Sequence, residues 1–332
     1  MKILAGHHGH DSNICYVEEG EIKYWNKLER LTRIKRDSGP PETALLFPEV
    51  RISIPLEKLD CTVLGTPYDT VRGVNEPRIF NWKNYFKDKE FIQFPNHHLS
   101  HAANAFYGSG FEESYALVID RNGSLGFDEK GRPIGCQTET LYLCSYPNKF
   151  KVIYSNIAWV GITGKYGLIS ERCGIADLDN GKTMGLAAYG SNKKDISYKL
   201  INKNLIAKNF TMFDNIVENS RYRDDILLDM DNSYPNEDIA NFIQRETNKN
   251  ILDIIEEIDF EVCDKLCYTG GHAHNCLTNF NIKQKLGDKI DFYVDPIPDD
   301  SACSIGYAKY TWYDKTKSLD KFPMKDIYNC GG

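Results

Sequence analysis

No stretch of this 332-residue chain approaches the roughly 18 consecutive apolar residues that a membrane-crossing helix requires. The opening MKILAGHHGHDS is too polar, and its apolar run too short, for a secretory signal peptide, so a cytoplasmic protein with no membrane partner is expected. Low-complexity tracts are absent, as are a Walker P-loop, a GxGxxG turn and a Ser-His-Asp order. No two cysteines stand at CxxC spacing. The ten are scattered, with Cys263 and Cys267 nearest in sequence, which reads as reduced thiols rather than a disulfide framework or a structural zinc site. Positive charge is not in excess either. A net charge of −7 argues against attraction to nucleic acid through the surface as a whole and leaves open a local basic groove.

Histidine is missing from most of the chain, and where it occurs is informative. All eight histidines fall in three short clusters: His7, His8 and His10; His97, His98 and His101; His272 and His274. This grouping suggests three segments meeting at one site. The middle cluster lies in FPNHHLSHAANAFYGS, residues 94–109, which reads as a helix with Asn96 as its N-cap. His97 and His101 are four apart and project from one face, the geometry of a two-ligand half-site. That spacing by itself equally fits satisfied or exposed helical histidines. His98 points roughly 100° away by helical periodicity. Leu99, Ala102 and Phe106 form an apolar stripe suited to packing on a core.

The length allows one large two-lobed domain or two ordinary ones. KILAG at 2–6 reads as a short buried strand, followed by the polar turn HHGHDS and a hairpin over NICYVEEGEIKYW that turns at Glu19-Gly20. The plan recurs later. YALVID is a strand, RNGSLGFDEKGRP a polar loop, and TETLYLCSYPNKFKVIYS a hairpin turning around Pro147-Asn148. Two unrelated hairpins would give the same pattern. A duplicated strand–loop–hairpin start is also the mark of an α/β fold built from two ribonuclease-H-like lobes around a nucleotide cleft, as in actin, Hsp70 and the sugar kinases. In that architecture the first loop of each lobe, here residues 7–12 and 120–126, faces the cleft and cradles phosphates through backbone N–H groups.

Residues 237–258 carry apolar residues at helical spacing. KLCYTGGHAHNCLTNFNIKQKL reads as strand, Gly-Gly turn and helix, an arrangement that lets an anionic ligand approach the backbone. IDFYV at 290–294 is a further strand, and the loop DPIPDDSACSIG leads into a last helix around 302–313. Residues 206–236 are polar and without periodicity, and no role is assigned to them. The basic run KLERLTRIKR at 27–36 fits a solvated face or an anion-binding cleft equally well.

Six segments in this order carry a resemblance: GHDSN at 9–13, ERLTRIKR at 29–36, NHHLSHAANAFYGSGFEES at 96–114, GKTMGLAAYG at 181–190, YTGGHAHNC at 268–276 and DDSACSIGYA at 299–308. Along nearly its whole length the chain resembles the N-terminal catalytic domain of the NodU/TobZ-type O-carbamoyltransferases, which is related to TsaD and to part of HypF. The resemblance implies a first actin-like lobe over 1–112 and a second over 113–332, with the C-terminal helix packing back on the first. It implies a divalent metal, iron before magnesium or manganese, held by His97, His101, Asp120 and Asp300. That ligand set agrees with a same-face histidine pair plus two carboxylates. The implied reaction passes a carbamoyl group from carbamoyladenylate, made from carbamoyl phosphate and ATP, to a substrate hydroxyl. His10 would be the base and Lys35 the anion partner. Gly123, Lys182, Gly185, Gly270, Gly271 and Asn275 would line the nucleotide site, and His98 would support the ligands.

Three departures bear on these expectations. The family's DGxGE reads DRNGS at 120–124, its GGVALN reads GGHAHN, and the chain ends at DIYNCGG where members continue into a YrdC-like domain. The activated donor is therefore expected from a separate YrdC-like subunit, unless the chain is a fragment. The acceptor is a small-molecule, sugar or nucleoside hydroxyl. Two alternatives are a TsaD-like tRNA threonylcarbamoyl transferase, against which the acidic charge counts, and an inactive nucleotide-binding subunit of a complex.

Overall fold

KILAGH, Lys2–His7, forms strand β1 at the centre of the first sheet, where five of its six residues are buried. It pairs antiparallel with β2 (Asn13–Glu18), and β2 pairs antiparallel with β3 (Glu21–Lys27). On its other side β1 runs parallel to β4 (Cys61–Gly65), and β4 parallel to β5 (Glu90–Gln93). The computed structural model describes residues 1–66, 76–176, 179–192, 196–202, 226–230 and 233–324.

The second sheet repeats this plan. β6 (Glu113–Ile119) takes the central place. β8 (Pro133–Ser145) pairs antiparallel with it, and β9 (Lys149–Ala158) antiparallel with β8. β12 (Lys265–Thr269) runs parallel to β6 and β13 (Asp291–Val294) parallel to β12. Numbered within each half, both sheets read 3-2-1-4-5, so the duplicated ribonuclease-H-like architecture is present. A short β7 (Leu125–Phe127) adds to β8. The sequence left β4, β5 and β7 unmarked.

Two helices join the halves. α4 (His97–Ser109) starts where the Asn96 side chain accepts the Leu99 N–H, and it stops at Gly110, which adopts the left-handed conformation common past a helix C-terminus. α9 (Cys303–Thr316) lies against α4 and against β1, β2 and β4 of the first sheet. Leu99, Ala102 and Phe106 share one buried cluster with Ile3, Val63, Ala116, Val118, Cys267 and Tyr307, so α4 and α9 are packed between the sheets. The helices approach closely at Gly306, where an added Cβ would stand 2.1 Å from the Ser100 carbonyl oxygen. Any larger residue would force them apart.

Five helices connect the strands on the outside: α1 (Leu28–Thr32), α2 (Pro48–Ser53), α3 (Glu76–Tyr85), α5 (Ile162–Arg172) and α6 (Gly181–Ala187). α7 (Asn236–Glu256) matches the periodic segment expected over 237–258, and α8 (Cys276–Leu286) follows the Gly-Gly turn. The aperiodic stretch 206–236 falls largely outside the described residues. Within it Ile226–Met230 is strand β11, paired antiparallel with β10 (Tyr198–Asn202). The terminal DIYNCGG also lies outside the described residues. No helix among the described residues is long and apolar enough to cross a membrane.

Candidate active site

Four loops and helix ends converge on one buried carboxylate. Asp300 sits in a 3₁₀ turn just before α9, and the Asp299 side chain caps that turn by accepting the Ser301 N–H. Asn13, the first residue of β2, clamps the same turn. Its amide donates to the Asp300 carbonyl at 2.9 Å, and its side-chain oxygen accepts the Ser304 N–H at 3.2 Å. Asn13 closes the motif GHDSN, yet nothing local in the sequence marks it as the clamp of a turn 287 residues away.

Around Asp300 stand four imidazoles. His97 Nε2 is 3.3 Å and His101 Nε2 3.4 Å from Oδ1; His10 Nδ1 is 3.5 Å and His7 Nε2 3.7 Å from Oδ2. His97 and His101 face each other at 3.2 Å between their Nε2 atoms, as their shared helix face requires. Asp120, just past the end of β6, brings a second carboxylate to 3.5 Å from His97 Nε2. Its other oxygen accepts the Gly271 N–H at 3.1 Å. His97, His101, Asp120, Asp300 and His10 are thus brought together. All but His10 are buried, and the His10 side chain is half exposed at the edge of the cluster.

The charges explain one another. Burial by itself would lower the His97 pKa, but Asp300 and Asp120 outweigh it and raise it to about 10. Burial would raise the carboxyls of Asp120 and Asp300, yet the neighbouring histidines hold both below the usual carboxylate range. Burial lowers His7 to about 3 despite the pull of Asp300. Two buried carboxylates set among imidazoles need a cation. Either a protonated His97 or a bound ion supplies it. The separations of 3.2, 3.3 and 3.4 Å among His97 Nε2, His101 Nε2 and Asp300 Oδ1 match the spacing of about 3.3 Å expected for nitrogen and oxygen ligands sharing one tetrahedral ion. Among the described residues, His7 Nε2 and His97 Nδ1 are buried without a hydrogen-bond partner. The residues therefore fit a divalent metal. A cysteine joins them: Cys303, with His97, His101 and Asp300, places its donor within 4.8 Å of theirs.

His98 turns away from this cluster. Its Nδ1 meets Thr140 Oγ1 at 2.8 Å and burial lowers it to about 3, so it ties α4 to β8. Gly123 lies against the other edge of the His98 ring, and its N–H donates to the Gln137 carbonyl at 2.7 Å. The last histidine cluster has other partners. His272 Nε2 meets Thr278 Oγ1 at 3.2 Å and its ring packs edge-on to Tyr166, while His274 Nε2 is 3.2 Å from Asp299. The expectation that all three histidine clusters converge thus holds for the first two, with His274 touching only the neighbour of Asp300.

The remaining candidates form a second, more exposed group. Lys35 and Arg36 reach Asp179 at 3.7 and 3.3 Å, and Lys182 of α6 reaches it at 2.8 Å. This joins the basic run after β3 to the GKTMG segment. Gly185 is on the same short helix with open space beside it. α6 in turn touches the start of α8 through Met184 and Cys276. Asn275 caps α8 by accepting the Thr278 N–H, and its amide donates to Gln244 at 2.9 Å. Gly270 has φ +90°, and a Cβ there would meet the Ile119 carbonyl oxygen at 2.4 Å, so the turn after β12 can lie directly on β6 only as glycine.

Comparison with known proteins agrees with this geometry. Residues 80–309 match the family described as carbamoyltransferase N-terminus. The nodulation protein NolNO of Sinorhizobium fredii is 24% identical over 96% of this chain and 48% of its own length. The chain spans about half the length of the curated relatives it matches. Among solved structures, full-length HypF in a phosphate- and nucleotide-bound form has a TM-score of 0.57 at 12% identity, covering 96% of this chain and 56% of HypF. Component A of the (R)-2-hydroxyglutaryl-CoA dehydratase of Acidaminococcus fermentans has a TM-score of 0.54 at 13% identity, covering 96% of this chain and all (100%) of that one. These two similarities establish the fold.

Proposed function

Because the chain belongs to the carbamoyltransferase N-terminus family, we propose that it is the catalytic part of an O-carbamoyltransferase acting on carbamoyladenylate. The observation that carries this reading is the convergence of His10, His97, His101, Asp120 and Asp300 at the meeting point of the two halves. His97, His101, Asp120 and Asp300 would hold a divalent metal. Their nitrogen and oxygen donors suit iron, with manganese or magnesium as the alternatives. When bound, the ion supplies positive charge to an oxygen of the acyl phosphate.

The chain's own residues do the rest. His10 is half exposed and faces Asp300 through Nδ1, and its Nε2, 3.9 Å from Asp11 Oδ2, takes the proton of an acceptor hydroxyl. The acceptor oxygen forms the new bond to the carbamoyl carbon. The bond from that carbon to the adenylate phosphate oxygen breaks, and AMP leaves. Lys35 and Lys182 balance the departing phosphate. The nucleotide lies along Gly123, Gly185, Gly270, Gly271 and Asn275, a reading supported by the phosphate and nucleotide held by HypF of the same fold. Carbamoyladenylate comes from carbamoyl phosphate and ATP on a YrdC-like partner subunit, and the acceptor is a small molecule, sugar or nucleoside.

The test incubates the chain with a YrdC-like protein, ATP and labelled carbamoyl phosphate, then searches a cell extract for labelled product. Label transfer that depends on the chain and falls by about 10²–10⁴ in His10→Ala is expected. Wild-type transfer by a His97→Ala/Asp300→Ala double variant would sink the metal-centred version. No transfer at all would sink the reaction itself.

A further inference from the structure

The ring of donors around Asp300 includes one group that the carbamoyl-transfer reading leaves without a task. Cys303 opens α9 three residues after Asp300, so the two side chains leave the same helical turn on the same side. Cys303 is buried at 1% exposure, and its Sγ lies 3.9 Å from His101 Nε2. One donor atom from each of His97, His101, Asp300 and Cys303 falls within 4.8 Å of every other. Nitrogen or oxygen at about 2.0–2.1 Å and sulfur at about 2.3 Å from one tetrahedral ion stand about 3.6 Å apart, which the 3.9 Å contact approaches. Two helices thus each offer a pair of donors, His97 and His101 from α4 and Asp300 and Cys303 from the start of α9. Asp120 approaches from β6, with one of its oxygens bonded to Gly271.

We propose that Cys303 is a metal ligand and that its sulfur makes this centre selective for iron(II), cobalt(II) or zinc(II) over magnesium and manganese. The inference rests on the metal reading above and adds sulfur as a third donor type beside its nitrogen and oxygen. Thiolate is soft, and magnesium and manganese favour all-oxygen sites, whereas the borderline transition ions accept sulfur beside imidazole and carboxylate. Ligation exchanges the S–H bond for a sulfur–metal bond and releases the proton to solvent. A buried thiol whose side-chain partners are Ser100 and His101, held by the same turn as the central carboxylate, is placed for this and is shielded from casual oxidation.

Cobalt(II) titrated into the metal-free purified chain provides the test, because it reports thiolate ligation as a near-ultraviolet charge-transfer band, separate from its visible ligand-field bands. The wild-type chain is expected to show both. Cys303→Ser should lose the charge-transfer band, keep the visible bands and bind cobalt about 10–100-fold more weakly. Cys276→Ser, which changes the one cysteine exposed among the described residues, should keep the full spectrum. Visible bands without a charge-transfer band in the wild type would overturn the role of Cys303 and leave the metal centre standing. No cobalt binding would overturn the metal centre and this inference with it. X-ray absorption at the cobalt edge of the unsubstituted chain decides the same point should Cys303→Ser fail to fold: a sulfur scatterer supports the inference and an all-nitrogen-and-oxygen shell contradicts it.

Discussion

His97 touches both carboxylates of the site. It lies between Asp120 and Asp300, and its raised pKa of about 10 keeps the ring protonated through the neutral range when no ion is bound. A metal must displace that proton. Below about pH 10 the His97 proton alone should make metal binding about tenfold stronger for each unit of rising pH, the proton that Cys303 gives up on ligation should add a second factor of about ten, and acidification should weaken binding by the same factors. Metal titrations from pH 6.5 to 9 check this, and a flat profile would show that His97 holds no competing proton. The His97/His101 pair was legible in the sequence because helical periodicity puts residues four apart on one face. Asp120 and Asp300 were legible only through motif order, since nothing local marks a carboxylate that meets its partners from far along the chain. Nothing in the sequence marks Cys303, because its relevance depends on its position one turn after Asp300 at the start of α9. His272 and His274 look like further ligands in sequence, yet Thr278, Tyr166 and Asp299 engage them instead.

At the scale of elements, the site depends on how closely α4 and α9 cross. The Gly306 backbone lies against the Ser100 carbonyl, and this contact fixes the distance between the histidine pair on α4 and the Asp300 turn. Gly306→Ala should cost ~1–3 kcal/mol of folding stability through overpacking and should also weaken metal binding, as read by denaturant unfolding and metal titration. A variant with unchanged values of both would show that the crossing has slack. The repeated strand–loop–hairpin start was visible in the sequence because alternating and buried strands mark themselves. β4, β5 and the β10–β11 pair were missed. β4 and β5 are parallel strands of five and four residues, too short for periodicity to separate them from loop.

The whole molecule is a duplication whose halves are joined by a shared core and, at the surface, by the ion pairs of Lys35 and Arg36 with Asp179, which Lys182 of its own half also engages. Asp179 occupies the cations that the nucleotide phosphate would need. Asp179→Asn should therefore tighten ATP binding by ~2–5-fold at low ionic strength, with the gain fading as salt rises. Unchanged affinity would remove these cations from the nucleotide site. Both the duplication and the acidic balance were readable from sequence, whereas this meeting of residues from the two halves required the fold.

The most direct measurement of the central claim is a calorimetric titration of iron(II), under anaerobic conditions, into the wild-type chain and the His97→Ala/Asp300→Ala variant. One ion bound per wild-type chain and at least ~100-fold weaker binding in the variant are expected. Equal binding by the two proteins, or none by the wild type, would contradict that claim.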